Sequence, residues 1–373
     1  MLDLKCLKEH KIDIFKAEIG ALLFNMGKTH AGIGSWRDYF KDQEIVIKFN
    51  RYDEYFNKEN GKNKSKYYKN TPYYKIELAK ATELKKYFFH TELTLPTNNS
   101  DNKTRKLDLL DIMKGRGSGE IIVKKVFFRG CENINSGIDK GSPRDQIKGK
   151  LFVANAFGTS KKKLGLSDFD KGRMRFWSEL DKFLKSKKYY GDDADWKVIK
   201  DWVSKEIRDW YSCLLSDSRF PVNDVTLWDQ VYMTATMFKA ALADMFLIMN
   251  DTSKGNEIKT YFEEPISIKW RMMGVQYDKL GLAERGFKPA QIEWYRKTTR
   301  KIDEQVKEII ESKYCLGNEI YRDETGIYFL VGQSLGKNND KDLTYLHSDL
   351  TEIKKDILKT FKTYDEFYPA ILL

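Results

Sequence analysis

The sequence predicts an α+β protein, a mostly helical N-terminal part followed by a smaller part that mixes strands with long helices. Three observations carry that expectation. Apolar residues recur every three to four positions through residues 11–28, 195–215 and 226–243, the period of a helix with one buried face. After about residue 265 the pattern changes to short strand-like runs alternating with charged helices. The chain has 373 residues, 41% of them hydrophobic and 14% aromatic, which is enough to build two cored domains. The expected domains are 1–265 and 266–373, with a basic and aromatic region at about 115–190 inserted into the first.

The first helix covers residues 11–28. Ile14, Phe15, Ile19, Leu22 and Leu23 form its apolar stripe, and Gly27 suits its C-terminal stop. His30 follows the glycine turn as a surface or capping residue. Between 35 and 105 the signals are sparser: a strand-like Glu44–Phe49, a helix at Ile76–Phe89, and polar breaks at 57–70 and Thr97–Lys106. The glycines at 115, 117 and 119 resemble a phosphate loop only superficially, because no Gly-Lys-Ser/Thr follows and no helix opens there. Ile121–Phe128 reads as a strand, and residues 130–143 as a long loop.

Between Gly141 and Tyr190 stand thirteen Lys/Arg against five Asp/Glu, interleaved with Phe152, Phe157, Phe169, Phe176, Trp177, Tyr189 and Tyr190. Cations neutralise phosphates, and aromatic rings stack on bases or pack in a core. Lys161, Lys162 and Lys163 are the densest point, and Arg173 and Arg175 extend the same candidate RNA-binding set. Residues 195–215 form an amphipathic helix with Trp196, Val203, Ile207, Trp210 and Leu214 as core candidates. The next helix carries Leu227, Trp228, Val231, Ala235, Phe238 and Leu242 on its buried face, with Asp224 or Thr226 as its cap. Asp229 lies one turn inside, as either a ligand or a hydrogen-bonded structural acid.

The C-terminal part reads strand (Ser267–Leu280), helix (Gln291–Tyr314), hairpin (Asn318–Gly332, turning at Arg322–Gly326) and helix (Leu343–Phe361). That β-α-β-β-α order is a ferredoxin-like unit. It brings Asp278, Asp323 and Glu324 to one edge, and two or three carboxylates are what fixing divalent ions on a triphosphate requires. Three acids in a turn and at a strand end are, in the first place, what a charged hairpin turn and an exposed strand end carry.

The net charge of +11 and a pI near 9.1 favour polyanionic partners. The four cysteines are scattered with no C-x-x-C pair, which argues against a zinc ribbon and a disulfide framework and for a reducing compartment. No segment reads as the ~20-residue apolar span a bilayer needs, and the N-terminus has no signal-like apolar region. The expectation is a cytoplasmic protein without membrane contact.

Five strings in order carry a resemblance: GALLFNMGK (20–28), FFRGCENINSGIDKGSP (127–143), SDSRFPVNDVTLWDQVYMTATMFKAALA (216–243), KWRMMGVQYDKLGLAERG (269–286) and GNEIYRDETGIYFLV (317–331). Together they resemble the large subunit of type III CRISPR effector complexes, nearest the type III-D version, in which an HD-like helical domain precedes a palm. The resemblance implies a degenerate nuclease site. Phe24 and Asn25 stand where the family's His-Asp pair binds metal, and of the second acidic site only Asp229 remains, with Gln230 beside it. Tyr321–Gly326 (YRDETG) stands where an active palm carries Gly-Gly-Asp-Asp. No catalytic residue and no resident metal are therefore expected. The implied role is scaffolding and binding of guide RNA near its 5′ end, among other effector subunits and with target RNA in the assembled complex. The alternative is a palm that binds ATP and Mg or Mn through Asp278, Asp323 and Glu324 and contributes to cyclic oligoadenylate synthesis with a second palm. The first palm is the last domain the resemblance covers, so the chain is expected to be a truncated or reduced form.

Overall fold

The structure is a computed structural model that describes residues 4–29, 82–98, 103–115, 118–138, 152–154, 161–163, 166–191, 193–216, 225–249, 255–335, 348–364 and 367–373. His30, Glu44–Phe49, the 57–70 break, residues 76–81, Gly117, residues 139–143, Asp224 and residues 343–347 lie outside it. Helices α1 (Leu4–Glu9) and α2 (Lys11–Phe24) open the chain, and a 3-10 turn at Asn25–Thr29 ends α2. Strands β1 (Glu92–Pro96) and β2 (Thr104–Asp108) pair, and α3 (Leu109–Lys114) follows. A wide π-type helical segment at Val123–Glu132 runs into α4 (Asn133–Ile138). Next come β3 (Phe152–Ala154), β4 (Lys161–Lys163), α5 (Leu166–Lys187), α6 (Trp196–Tyr211) and α7 (Leu227–Ile248). The remainder is α8 (Gly255–Glu263), β5 (Trp270–Gln276), α9 (Lys279–Glu284), α10 (Pro289–Lys307), β6 (Gly317–Arg322), β7 (Gly326–Gly332), α11 (Ser348–Phe361) and β8 (Ala370–Leu372).

This is an α+β molecule, and it divides into two compact units. One takes Phe15–Leu93 and Lys106–Ala235, the other Met1–Ile14, Thr94–Arg105 and Thr236–Leu373. The expected boundary at 265/266 is not where the contacts divide. The chain passes between the units inside α2, β1, β2 and α7, so two helices and both strands of the β1–β2 pair contribute residues to each unit.

The α2 stripe is buried as its spacing requires: Ile14, the last residue of the sheet unit's N-terminal segment, and Phe15, Ile19, Leu22 and Leu23 of the helical unit are at most 1% exposed. Trp196, Val203, Ile207, Trp210 and Leu214 are likewise buried, and Asp195 caps α6 by accepting from the amides of Lys197 and Val198. The strand expected at Ile121–Phe128 is instead helical. Ile122, Val123, Val126, Phe127, Gly130 and Cys131 are its buried positions, a spacing of three to four residues that only a helix puts on one face. The same helix runs on into the 130–143 stretch as far as Ile138, so that stretch is not a loop over the described part.

The sheet unit holds a four-stranded sheet of order β6-β7-β5-β8, in which the paired strands are antiparallel. With its helices the order along the chain is β-α-β-β-α-β. The last strand, β8, was not expected, because three residues at a terminus carry too little pattern. Met273, Val275, Ile327, Phe329 and Val331 alternate onto one buried face. Ile302 and Val306 of α10 and Ile353 and Ile357 of α11 are buried too. Hydrogen bonds from Tyr277 to Thr299 and Asp303, and from Arg322 to Glu304, tie that face to α10. The opposite face is partly open, with Met272 and Tyr321 both 57% exposed. The N-terminal segment joins this unit: His10 stacks on Phe246 at 4.2 Å, and Asp13 accepts the Thr94 amide at 2.9 Å.

α7 is long and apolar enough to cross a membrane, with a mean hydropathy of 1.4 over its best window, which corrects the expectation that no such segment exists. Its window is 89% buried inside the protein, as a core helix would be.

Candidate functional site

Three places carry the residues singled out in the sequence, and the first is the end of α2. Phe24 is 5% exposed and packs edge-on against Phe127 at 5.1 Å and Phe128 at 6.1 Å. Gly115 lets the ring in. Its φ of +56° is a conformation L side chains avoid, and a Cβ there would lie 2.2 Å from the Phe24 ring. Asn25 is buried at 5%, and among the described residues its Nδ2 donates to no partner. Beyond it, the buried Arg173 donates from Nη1 to the Thr29 carbonyl at 3.0 Å, holding the end of the turn. Tyr211 donates to Met26 Sδ at 3.2 Å, and burial pushes its phenol well up. The end of α2 is thus closed by phenylalanines and by a guanidinium that belongs to the chain.

Asp229 does not join this turn. It is exposed, and its Oδ2 accepts from the Thr226 amide at 2.9 Å and the Thr226 hydroxyl at 2.7 Å, while its own amide donates back to Thr226 Oγ1 at 3.2 Å. That reciprocal pair is a capping box at the start of α7. Thr226 is the cap, and Asp229 is the structural acid of the two readings. Gln230 is buried, and its carbonyl accepts Asn135 Nδ2 at 2.9 Å. The same Asn135 group reaches Thr234 Oγ1, whose hydroxyl donates to the buried Glu132, so a polar relay fastens the 123–138 segment to α7. An isolated Asn or Glu gives no sequence signal for such a relay.

The second place is the edge where β5 meets the hairpin turn. The Tyr277 amide bonds the Thr325 carbonyl at 2.9 Å and the Lys279 amide bonds the Glu324 carbonyl at 3.3 Å, so Asp278 does lie beside the turn as expected. Glu324 is exposed, whereas the carboxylates of Asp278 and Asp323 are engaged locally. Asp278 caps α9 through the Gly281 amide at 2.7 Å. Asp323 Oδ1 accepts from the Thr325 hydroxyl, the Thr325 amide and the Gly326 amide, and the hydroxyl bond above all holds its carboxyl below the usual range.

Beneath the turn lies a buried ion pair that the sequence reading missed. Lys279 is 8% exposed and donates to Asp303 Oδ2 at 2.8 Å, the Asp323 carbonyl at 2.8 Å and the Gly326 carbonyl at 3.0 Å. Tyr277 donates to Asp303 Oδ1 at 2.6 Å. Burial pushes the Asp303 carboxyl up, and the bonds from Lys279 and Tyr277 pull it part of the way back. A second buried acid, Asp244 of α7, accepts from Tyr261 and from the amide and hydroxyl of Ser334. Burial raises its carboxyl as well, and a cavity of about 280 Å³ opens beside it between Glu257, Lys269 and Ser334. Among the described residues, no three His, Cys, Asp or Glu side chains converge where an ion could be held.

The third place is the basic region. Lys161, Lys162 and Lys163 form β4, paired with Ala154, Val153 and Phe152. Arg175 is exposed on α5, but Arg173 is 2% exposed and turned inward to Thr29, which removes it from the set that could meet a phosphate. Phe176 and Trp177 are core residues, packed on each other at 4.9 Å. The charge of the whole chain is divided unequally. The helical unit holds 40 Lys/Arg against 29 Asp/Glu, and the sheet unit holds 26 of each.

No family model, no curated protein and no solved structure matches this chain.

Proposed function

We propose that this chain is a nucleic-acid-binding scaffold: the HD-like and first-palm portion of a type III CRISPR large subunit, with a degenerate nuclease site. On this reading it binds guide RNA near the 5′ end, together with other effector subunits and target RNA, in the cytoplasm. The observation that carries it is the charge division: the entire +11 excess resides in the helical unit. The β-α-β-β-α-β order with a 6-7-5-8 sheet supports the ferredoxin-like palm. The phenylalanine packing around Phe24 supports an HD-like helix end without metal, since a benzyl ring offers no ligand.

The residues at the palm edge do not fit ATP and a divalent ion well. Asp278 and Asp323 each satisfy the backbone of their own turn, and Arg322 is committed to Glu319 and Glu304. Their hydrogen bonds shape the turn, which supports a structural role for the edge.

The test is RNA retention by the full chain across a salt series, with Lys161, Lys162 and Lys163 all replaced by glutamate. Each lost phosphate contact should flatten the salt slope by about 0.7 for a single strand. An unchanged slope removes the basic region from the interface. Labelled ATP with Mn²⁺ should give no oligoadenylate, and any such product would revive the enzymatic reading.

A further inference from the structure

A second basic surface stands out because it belongs to the unit with no net charge. Residues 285–301 carry Arg285, Lys288, Arg296, Lys297, Arg300 and Lys301 against one acid, Glu293. The rest of the sheet unit is left with 20 Lys/Arg and 25 Asp/Glu. All six cations are exposed. Among the described residues only Lys297 has an ion pair, to Glu293 at 2.6 Å.

Helical geometry puts most of these charges together. At about 100° per residue, Trp294, Lys301, Lys297, Arg300 and Arg296 lie in that order around the solvent side of α10, with Glu293, and Glu304 a turn further on, between Lys297 and Arg300. Thr298, Thr299, Ile302, Asp303 and Val306 take the buried side. The stripe also carries aromatic rings that solvent does not favour. Phe287 is 97% exposed and Trp294 49% exposed. The Phe287 loop is not loose: Gln291 Oε1 accepts the amides of Phe287 at 3.0 Å and Lys288 at 3.1 Å, and Pro289 fixes the first turn of α10. A phenylalanine held out in water by a fixed backbone, next to unpaired cations, is complementary to a chain with anionic links and flat apolar faces.

We propose that the Arg285–Lys301 surface binds single-stranded nucleic acid, with Arg296, Arg300 and Lys301 on phosphates and Phe287 and Trp294 stacking on bases. It is a site distinct from the β4 lysines of the other unit. A strand engaging both would contact the chain in two places.

The experiment uses the full chain and fluorescein-labelled oligouridine, followed by anisotropy between about 50 and 300 mM salt, the range over which counterion release is read. The double variant Arg300→Ala/Lys301→Ala should flatten the salt slope by about 1.4, for two lost single-strand contacts. Trp294→Ala should weaken binding about 5-fold or more with the slope unchanged, because stacking releases no counterions. Lys355→Ala, a cation on α11, serves as the charge control. Melting curves confirm that each variant is folded, as expected for solvent-facing positions. The proposal is overturned if the α10 variants match the Lys355→Ala control. It is also overturned if the protein sediments with phosphatidylserine vesicles through these residues but ignores the oligonucleotide. Glutamates at Lys161–Lys163 run in parallel, so loss of binding there alone sinks this site and leaves the first reading standing. Loss in the α10 variants alone does the reverse.

Discussion

At the scale of single residues, the decisive groups are acids whose partners decide between chemistry and structure. Asp229, Asp278 and Asp323 each read from sequence as candidate ligands, and each turns out to satisfy backbone amides or a neighbouring hydroxyl within three residues. Their types were legible in the sequence and their partners were not, because a short side chain chooses between its own turn and a distant ligand by geometry alone. The residue that matters most to the sheet unit, Lys279, gave no signal, since one lysine after an Asp is ordinary on a surface. Its burial against Asp303 makes a firm prediction. Lys279→Ala leaves the buried Asp303 with only Arg322, 3.8 Å away, as a cation, and the Asp323 and Gly326 carbonyls each lose one donor, so the unit should lose about 3 kcal/mol. Lys279→Met with Asp303→Leu replaces the pair by apolar groups and should recover much of that loss, a non-additivity read directly from urea midpoints. If the two single changes simply added, the ion pair would not be the unit that holds the turn.

At the scale of elements, long helices with an apolar repeat were legible, except α5, whose 22 residues were read only as a basic and aromatic region, and short or mixed elements were not. α2, α6 and α7 announced themselves because a dozen or more residues repeat the period. The β1–β2 pairing was hidden because a polar break covers most of β2, although Leu93 and Leu95 of β1 alternate as a strand should. The 123–132 segment misled in the opposite sense, because its valines and phenylalanines have strand propensity while their spacing is helical. The end of α2 shows an element's position being set by one backbone position. Gly115→Ala would force a Cβ into the Phe24 ring and hold an alanine at φ +56°, so it should destabilise the helical unit by about 2–4 kcal/mol. Measured against Phe24→Leu alone, which carries its own packing loss, Gly115→Ala should then cost only the backbone part, about 1–2 kcal/mol. Equal losses with and without Phe24→Leu would mean that the ring does not define the fit.

At the scale of the molecule, the sequence led to two domains meeting at 265/266, but the contacts divide within continuous elements, α2, β1, β2 and α7. A linker lets two domains melt separately, whereas a shared helix does not. For one unit to unfold alone, α7 would have to fray up to Ala235 and Thr236 and α2 up to Ile14 and Phe15, all at most 1% exposed, and β1 and β2 would have to part midway. The cooperativity of a helix resists such a break, since each new end exposes unsatisfied amides and carbonyls. Two variants placed on opposite sides test this. Asp229→Ala removes the capping box of α7 in the helical unit, a loss of about 1 kcal/mol. Lys279→Ala acts in the sheet unit. Coupling through α7 predicts one calorimetric transition that both variants lower, with the helical signal and the Trp270 environment of β5 changing together. Two transitions, each lowered by one variant and untouched by the other, would show that the shared helix yields before either unit does, and would return the chain to a pair of independently stable domains.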